Sequence, residues 1–248
     1  FVQSYTGRLF PIYGTWLFDN VPSTLAHEAR IPVTPDYVIG PGDEIDLRIW
    51  GQINSNQRLT VDRAGDIFLP QAGSVHVAGL KFSQLQDAIK ATIGRVYKNF
   101  DLNVNMGQLR SIQIFVVGQA RRPGNYTVSS LSTLVNALFA SGGPSSHGSL
   151  RNIQLKRGGT LITSFDLYDL LLHGDKSKDV PLLPGDVLFI PPAGPRVAVT
   201  GSVEYPAIYE LRNTTSLEQI LQFSGGLSPV AAGQRAVIER IHEHNGLR

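Results

Sequence analysis

The sequence predicts an α+β chain in which one unit of short strands and a helix is followed by two tandem copies of a second such unit. Three observations carry this. A segment of the chain recurs 83 positions later without a gap, short apolar runs alternate with turn residues throughout, and 248 residues exceed the usual size of one domain. The 25 glycines and 15 prolines supply the turns between short elements. With 42% hydrophobic and only 17% charged residues, the chain does not have the composition of a disordered one.

Composition also narrows the function. The formal charge of +2 is a small excess on a weakly charged chain, and the densest basic groups, Arg121-Arg122 and Lys156-Arg157, are only pairs. They fall short of a phosphate-tracking stripe, so no nucleic acid partner is expected. The absence of cysteine excludes disulfides, thiolate metal sites and thiol catalysis. No apolar run approaches the roughly 18 residues of a membrane-spanning helix. The sequence opens at Phe1 without a charged and apolar leader, so an export signal is expected to have been removed or to lie outside it.

In chain order, the segment 1–35 carries Pro11, Pro22 and Pro32 among Tyr13, Trp16 and Phe18, too apolar for a free tail. It is expected to pack back on the domains C-terminal to it. The unit 36–111 opens with strands at Tyr37–Ile39 and Glu44–Trp50 around Gly40-Pro41-Gly42-Asp43, then strands at Leu59–Val61 and Asp66–Leu69 around a turn. A helix is predicted over Gln84–Ile93, with Ser83 as its cap and Gln86 completing a capping box, and Leu85, Ala88, Ile89 and Thr92 on one face. A strand at Leu102–Val104 comes after it.

The repeats occupy 112–194 and 195–248. Val116, Gly118, Pro123, Tyr126, Leu134, Leu138, Ser141, Gly142, Gly143 and Ser145 recur as Val199, Gly201, Pro206, Tyr209, Leu217, Leu221, Ser224, Gly225, Gly226 and Ser228. Each copy reads as a hairpin, a helix capped by Ser132 or Thr215, and a Gly-Gly that ends it. Thr215 with Glu218 is predicted to form a capping box. Strands are expected next at Asn152–Lys156 and Arg235–Arg240. The first copy continues through a strand at Thr160–Phe165, a helical turn at Leu167–Leu172 and a strand at Asp186–Ile190. Hairpin, helix, more strands is the β-grasp order. The second copy stops where Arg248 corresponds to about Ser164 or Phe165 of the first, so it is expected to be partial.

Few side chains suggest chemistry. Gly40-Pro41-Gly42-Asp43 lacks the Lys-Ser/Thr end of a phosphate loop and reads as a turn. Asp43, Glu44 and Asp46 could suggest paired acids for glycoside chemistry, but Glu44 and Asp46 share one strand face beside a tight turn, where solvated charges are the usual reading. His242 and His244 could bind a metal, but no third ligand is evident. His27, His76, His147 and His173 sit singly and are assigned no role. Tyr126 and Tyr209 are expected in the core. Arg121 and Arg122 lie in the first hairpin loop and Glu204 and Tyr205 at the equivalent place in the second. They form either plain solvated loops or contacts to a neighbouring subunit or an anionic polymer. No catalytic set can be assembled, and neither an enzyme activity, a cofactor nor a metal is expected.

The run Tyr37-Val38-Ile39-Gly40-Pro41-Gly42-Asp43-Glu44-Ile45, with Val61-Asp62-Arg63-Ala64-Gly65-Asp66-Ile67-Phe68-Leu69-Pro70, Gly73 and Val77-Ala78-Gly79-Leu80, resembles polysaccharide biosynthesis/export domains. The repeats, with Pro184-Gly185-Asp186-Val187 before Ile190-Pro191, resemble soluble-ligand-binding β-grasp (SLBB) domains. In this order they are similar to outer-membrane polysaccharide export proteins. The resemblance implies an exporter of capsular or extracellular polysaccharide on the periplasmic face of the outer membrane, a lipoprotein whose subunits form a ring or channel. It further implies a homo-oligomer of the full-length protein, attachment to the outer membrane through regions absent here, and an inner-membrane copolymerase of the tyrosine-kinase type as partner. In that arrangement N-terminal strands complete the β-grasp domains. A periplasmic carbohydrate-binding or regulatory module of capsule assembly is the alternative.

Overall fold

The computed structural model describes residues 2–19, 33–212, 215–229, 231 and 237–239. It has the expected α+β character, and its contacts divide it into two compact units, Trp16–Pro192 and Phe1–Thr15 with Ala193–Arg248. The chain begins with a short helix α1 (Val2–Thr6) and a 3-10 turn at Thr15–Phe18.

Within the larger unit the first sheet is antiparallel in the order β2-β1-β5, from β1 (Glu44–Gly51), β2 (Ser55–Thr60) and β5 (Phe100–Met106). Alternation in β1 sends Ile45, Leu47 and Ile49 inward and leaves Asp46, Arg48 and Trp50 towards water, the period-2 pattern of a half-buried strand. A hairpin of β3 (Asp66–Leu69) and β4 (Gly73–His76) and the helix α2 (Phe82–Ile93) close this core. Leu85, Ile89 and Ile93 of α2, one turn apart, are buried in it. Each such side chain contributes about 1.5–3 kcal/mol by leaving water.

The same unit continues with β6 (Ser111–Gly118), β7 (Gly124–Ser129), α3 (Leu134–Ala140), β8 (Ile153–Arg157), β9 (Thr160–Phe165), α4 (Leu167–His173) and β10 (Val187–Ile190). These strands form one mixed sheet, β7-β6-β10-β8-β9. Here β10 returns to the middle, parallel to β6 and antiparallel to β8. Leu134, Val135, Ala137 and Leu138 form the buried face of α3. In the smaller unit the equivalent of the first hairpin is β11 (Arg196–Val199) with β12 (Ala207–Glu210), followed by α5 (Leu217–Phe223).

Several boundaries differ from the sequence reading. Tyr37–Ile39 makes only an isolated bridge, Val38 to Lys81, instead of a strand. The strand expected at Leu59–Val61 begins earlier, at Ser55, and β4 was not anticipated. The helix α2 starts at Phe82, with Gln84 Oε1 accepting from Lys81 N at 3.0 Å, so Ser83 lies inside it. Thr133, not Ser132, precedes α3 and donates its backbone N–H to Asn136. Ser216, not Thr215, caps α5 in a box with Gln219, while Thr215 Oγ1 turns back to Arg212 O at 2.8 Å. Of the strand expected at 235–240, residues 235, 236 and 240 lie outside the described residues, and Val237, Ile238 and Glu239 form no strand.

Candidate functional site

The four loop residues singled out by repeat equivalence have the same local role in both copies. In the first, Gly142 and Gly143 both take positive φ and end α3, with Gly143 N donating to Leu138 O at 2.8 Å. The hairpin loop then folds onto this helix end. Arg121 N donates to Gly143 O, Arg122 Nη2 donates to Ala140 O at 2.9 Å, and a Cβ on Gly142 would sit 3.3 Å from the Arg122 guanidinium. In the second copy Glu204 N donates to Gly226 O and Tyr205 N to Ser224 O, and a Cβ on Gly225 would meet Tyr205 at 2.8 Å and Glu204 at 2.9 Å. Loop side chains press on Gly142 and Gly225, whereas Gly226 has nothing within 4 Å among the described residues and rests on its positive φ alone.

Arg121 and Arg122 therefore share one loop, and Glu204 and Tyr205 share another in the other unit. Arg121 also pairs with Asp19 at 2.8 Å, and Tyr205 is 63% exposed. Tyr126 and Tyr209 reach the corresponding loop carbonyls, Arg122 O at 2.6 Å and Tyr205 O at 2.7 Å. Tyr209 is fully buried, as expected, whereas Tyr126 is half-buried.

The most strongly built polar groups are aspartates withdrawn from water beside arginines; sequence reasoning raised Asp43 only as a possible acid and found none of these pairings. Asp43, at the end of the Gly-Pro-Gly-Asp turn, is fully buried. It accepts from Gly40 N, from Arg110 N at 2.9 Å and from the Tyr37 hydroxyl, and pairs with the Arg110 guanidinium. Tyr37 also meets Ser130, and Arg110 O accepts from Ser130 N, so this network joins the first sheet unit to the first β-grasp repeat. Burial, above all, pushes the Tyr37 hydroxyl up to about 12 and keeps it a donor.

The second Pro-Gly-Asp repeats this geometry. Asp186 is fully buried, accepts from Leu183 N at 2.8 Å and pairs with Arg157 at 2.8 Å, which its hydrogen bonds hold protonated above the usual range. Asp166 pairs with Arg151, whose guanidinium lies 4.7 Å over the Tyr168 ring. The signal available in the sequence was the recurrence of Pro-Gly-Asp, which reads as turn chemistry alone.

The remaining candidates are accounted for by local pairs. Asp46 meets Arg58 across β1 and β2 at 2.9 Å, with Glu44 3.9 Å from the same guanidinium. His76 meets Asp66 at 2.7 Å. No group of His, Cys, Asp and Glu suited to a metal occurs among the described residues, and His27, His242 and His244 lie outside them. None of the described helices is long and apolar enough to cross a membrane.

Comparison with known proteins agrees with this layout. Residues 31–107 match the model of the polysaccharide biosynthesis/export protein family, and residues 113–164 and 196–247 match the SLBB domain. The chain is 32% identical over 206 residues to the polysialic acid transport protein KpsD of Escherichia coli, covering 82% of this chain and 36% of that protein. It is 32% identical over 209 residues to the EPS I polysaccharide export outer membrane protein EpsA of Ralstonia nicotianae, covering 83% of this chain and 55% of that protein. The chain thus spans between about a third and about half of the relatives it matches.

Proposed function

The chain belongs to the polysaccharide biosynthesis/export protein family, with two SLBB domains behind its export domain, and on that premise we propose that it is the periplasmic portion of an outer-membrane exporter of capsular or extracellular polysaccharide. The observation that carries this is the likeness, over more than four fifths of the chain, to two proteins named for polysaccharide transport and export. The domains run 36–111 for export, 112–194 for the first SLBB and 195–248 for a partial second, with 1–35 packing back on the β-grasp domains. Ile12 bridges Ile208 in parallel, and Phe18 lies against Phe139 at 5.3 Å, which supports that last assignment.

The role is conduction without catalysis. Asp43, Asp166 and Asp186 are buried under arginines and Asp46 is paired, so these carboxylates are poorly placed for acid or base work on a sugar. A hydrated polymer needs a wide rigid conduit, and a ring needs two different complementary faces per subunit. Arg121, Arg122, Glu204 and Tyr205, held rigidly on helix ends, are assigned to those faces or to the polymer. The full-length protein is a homo-oligomer that meets an inner-membrane copolymerase of the tyrosine-kinase type.

The test is genetic and structural. Deleting the full-length gene should abolish surface polysaccharide and leave precursor inside the cell, and the purified full-length protein should form rings by electron microscopy. Unchanged surface polysaccharide in the deletion strain would exclude the export role.

A further inference from the structure

We propose that the cleft between β2, the β3–β4 turn and the end of α2 is a weak subsite for one neutral pyranose unit of a polysaccharide. The ligand class rests on the export reading; the cleft itself does not. It encloses about 280 Å³, at the small end of ligand sites, which begin near roughly 300 Å³, and so suits a single ring.

Its lining matches the two faces of a sugar. The half-buried Ile53 and Ala72 supply apolar lining for the C–H face, and Asn54, Gln57, Gln71 and Tyr97 supply amide and phenol groups for the hydroxyls. Amides donate and accept at once, as do sugar hydroxyls, so this set can bond vicinal hydroxyls in either sense. Among the described residues no Asp, Glu, Lys or Arg lines the cleft, which favours a neutral unit over an anionic one.

A strained backbone points to the same place. Gln71 is the one non-glycine residue with positive φ among the described residues, at +67°. It follows Pro70 in a turn closed by Ala72 N donating to Leu69 O at 3.1 Å, a position where glycine is favoured. Its side chain accepts from the Tyr97 hydroxyl at the cleft. Strain of this kind persists where the side chain has a use, and a glycine here would relieve it. Weak binding fits conduction, since a transport site must release what it holds.

The experiment is an NMR titration of the 248-residue chain with methyl glucoside, methyl galactoside and the methyl glycoside of N-acetylglucosamine, with N-acetylneuraminic acid as the anionic arm. At least one neutral glycoside should shift the side-chain amides of Asn54, Gln57 and Gln71 with millimolar affinity, and the acid should not. Gln71→Gly should leave the melting temperature unchanged or raised yet weaken that affinity at least several-fold, and Gln57→Ala should weaken it too. A loss of binding without loss of stability separates ligand contact from a structural role. Amides unshifted by every neutral glycoside, equal shifts by the acid, or unaltered affinity in Gln71→Gly would each overturn the subsite. If that happens while gene deletion still blocks export, the subsite alone is wrong; if deletion leaves surface polysaccharide intact, it is the export reading that fails.

Discussion

Asp43, Asp166 and Asp186 are equally buried, but their arginine partners are not. The exposures are 9% for Arg151, 24% for Arg110 and 35% for Arg157. Removing a buried carboxylate takes from its arginine the charge that balances it, and the penalty grows with how little water that arginine can recover. Substitution by alanine should therefore destabilise in the order Asp166, Asp43, Asp186, from about 4 kcal/mol down to about 2 kcal/mol. Urea unfolding of the three variants measures this, and an inverted order would refute it. The tyrosines make a second prediction at this scale. Tyr37 and Tyr209 are raised, mainly by burial, from 10.0 to about 12, so the folded chain keeps protons that the unfolded chain gives up. Stability present below pH 10 should fall as the pH rises towards 12. Tyr37→Phe should flatten that decline for the larger unit, as followed by melting temperature against pH.

Individual elements can be compared because the repeat supplies an internal control. Gly118 and Gly201 are equivalent and both have positive φ, +84° and +91°. A Cβ on Gly118 would lie 2.2 Å from Ile190 O, whereas Gly201 has nothing within 4 Å among the described residues. Gly201→Ala should cost about 1 kcal/mol for the backbone alone, and Gly118→Ala about 3 kcal/mol or more because β10 must also move. Equal losses in thermal unfolding would contradict this. The same elements show what was legible. The apolar rows of β1, α2 and α3 have clean periods, and the left-handed glycines ending α3 and α5 were readable from their place after those rows. The caps were displaced by one or two residues because Ser132, Thr133, Thr215 and Ser216 are all competent caps. The choice depends on where Asn136 or Gln219 can reach back. The hairpin strand β4 escaped notice because Gly73, Ser74 and His76 do not look like strand formers and are held by pairing with β3.

On the scale of the molecule, the N-terminal residues are divided between the two units. Tyr13 stacks on Tyr209 with ring centroids 4.9 Å apart, within the smaller unit. Phe18, 5% exposed, fills the space above Gly143, where a Cβ would come within 2.5 Å of its ring. Tyr13→Ala should loosen only the unit containing 193–248, by about 2 kcal/mol, and Phe18→Ala only 16–192, by about 3 kcal/mol. Hydrogen exchange resolved by residue reads both, and matching effects across the units would argue against independent anchoring. That these aromatics would pack somewhere was legible from composition, but their partners were not. Nothing local in Pro11-Ile12-Tyr13 names a strand near the far end of the chain. The sugar-sized cleft was equally hidden, because its amides come from segments that only the fold assembles.

The parallel bridge from Ile12 to Ile208, with Ile208 N donating to Pro11 O and Tyr13 N to Ile208 O, closes a loop of about four fifths of the chain. Loop closure of that length is a slow, late event, since its entropy is lost before its contacts form. A segment synthesised well ahead of its partner must therefore stay unpaired until Ile208 has been made. Assembly of the smaller unit is governed by that delay, and a chain cut short before Ile208 would leave Tyr13 as a sticky, unmatched edge.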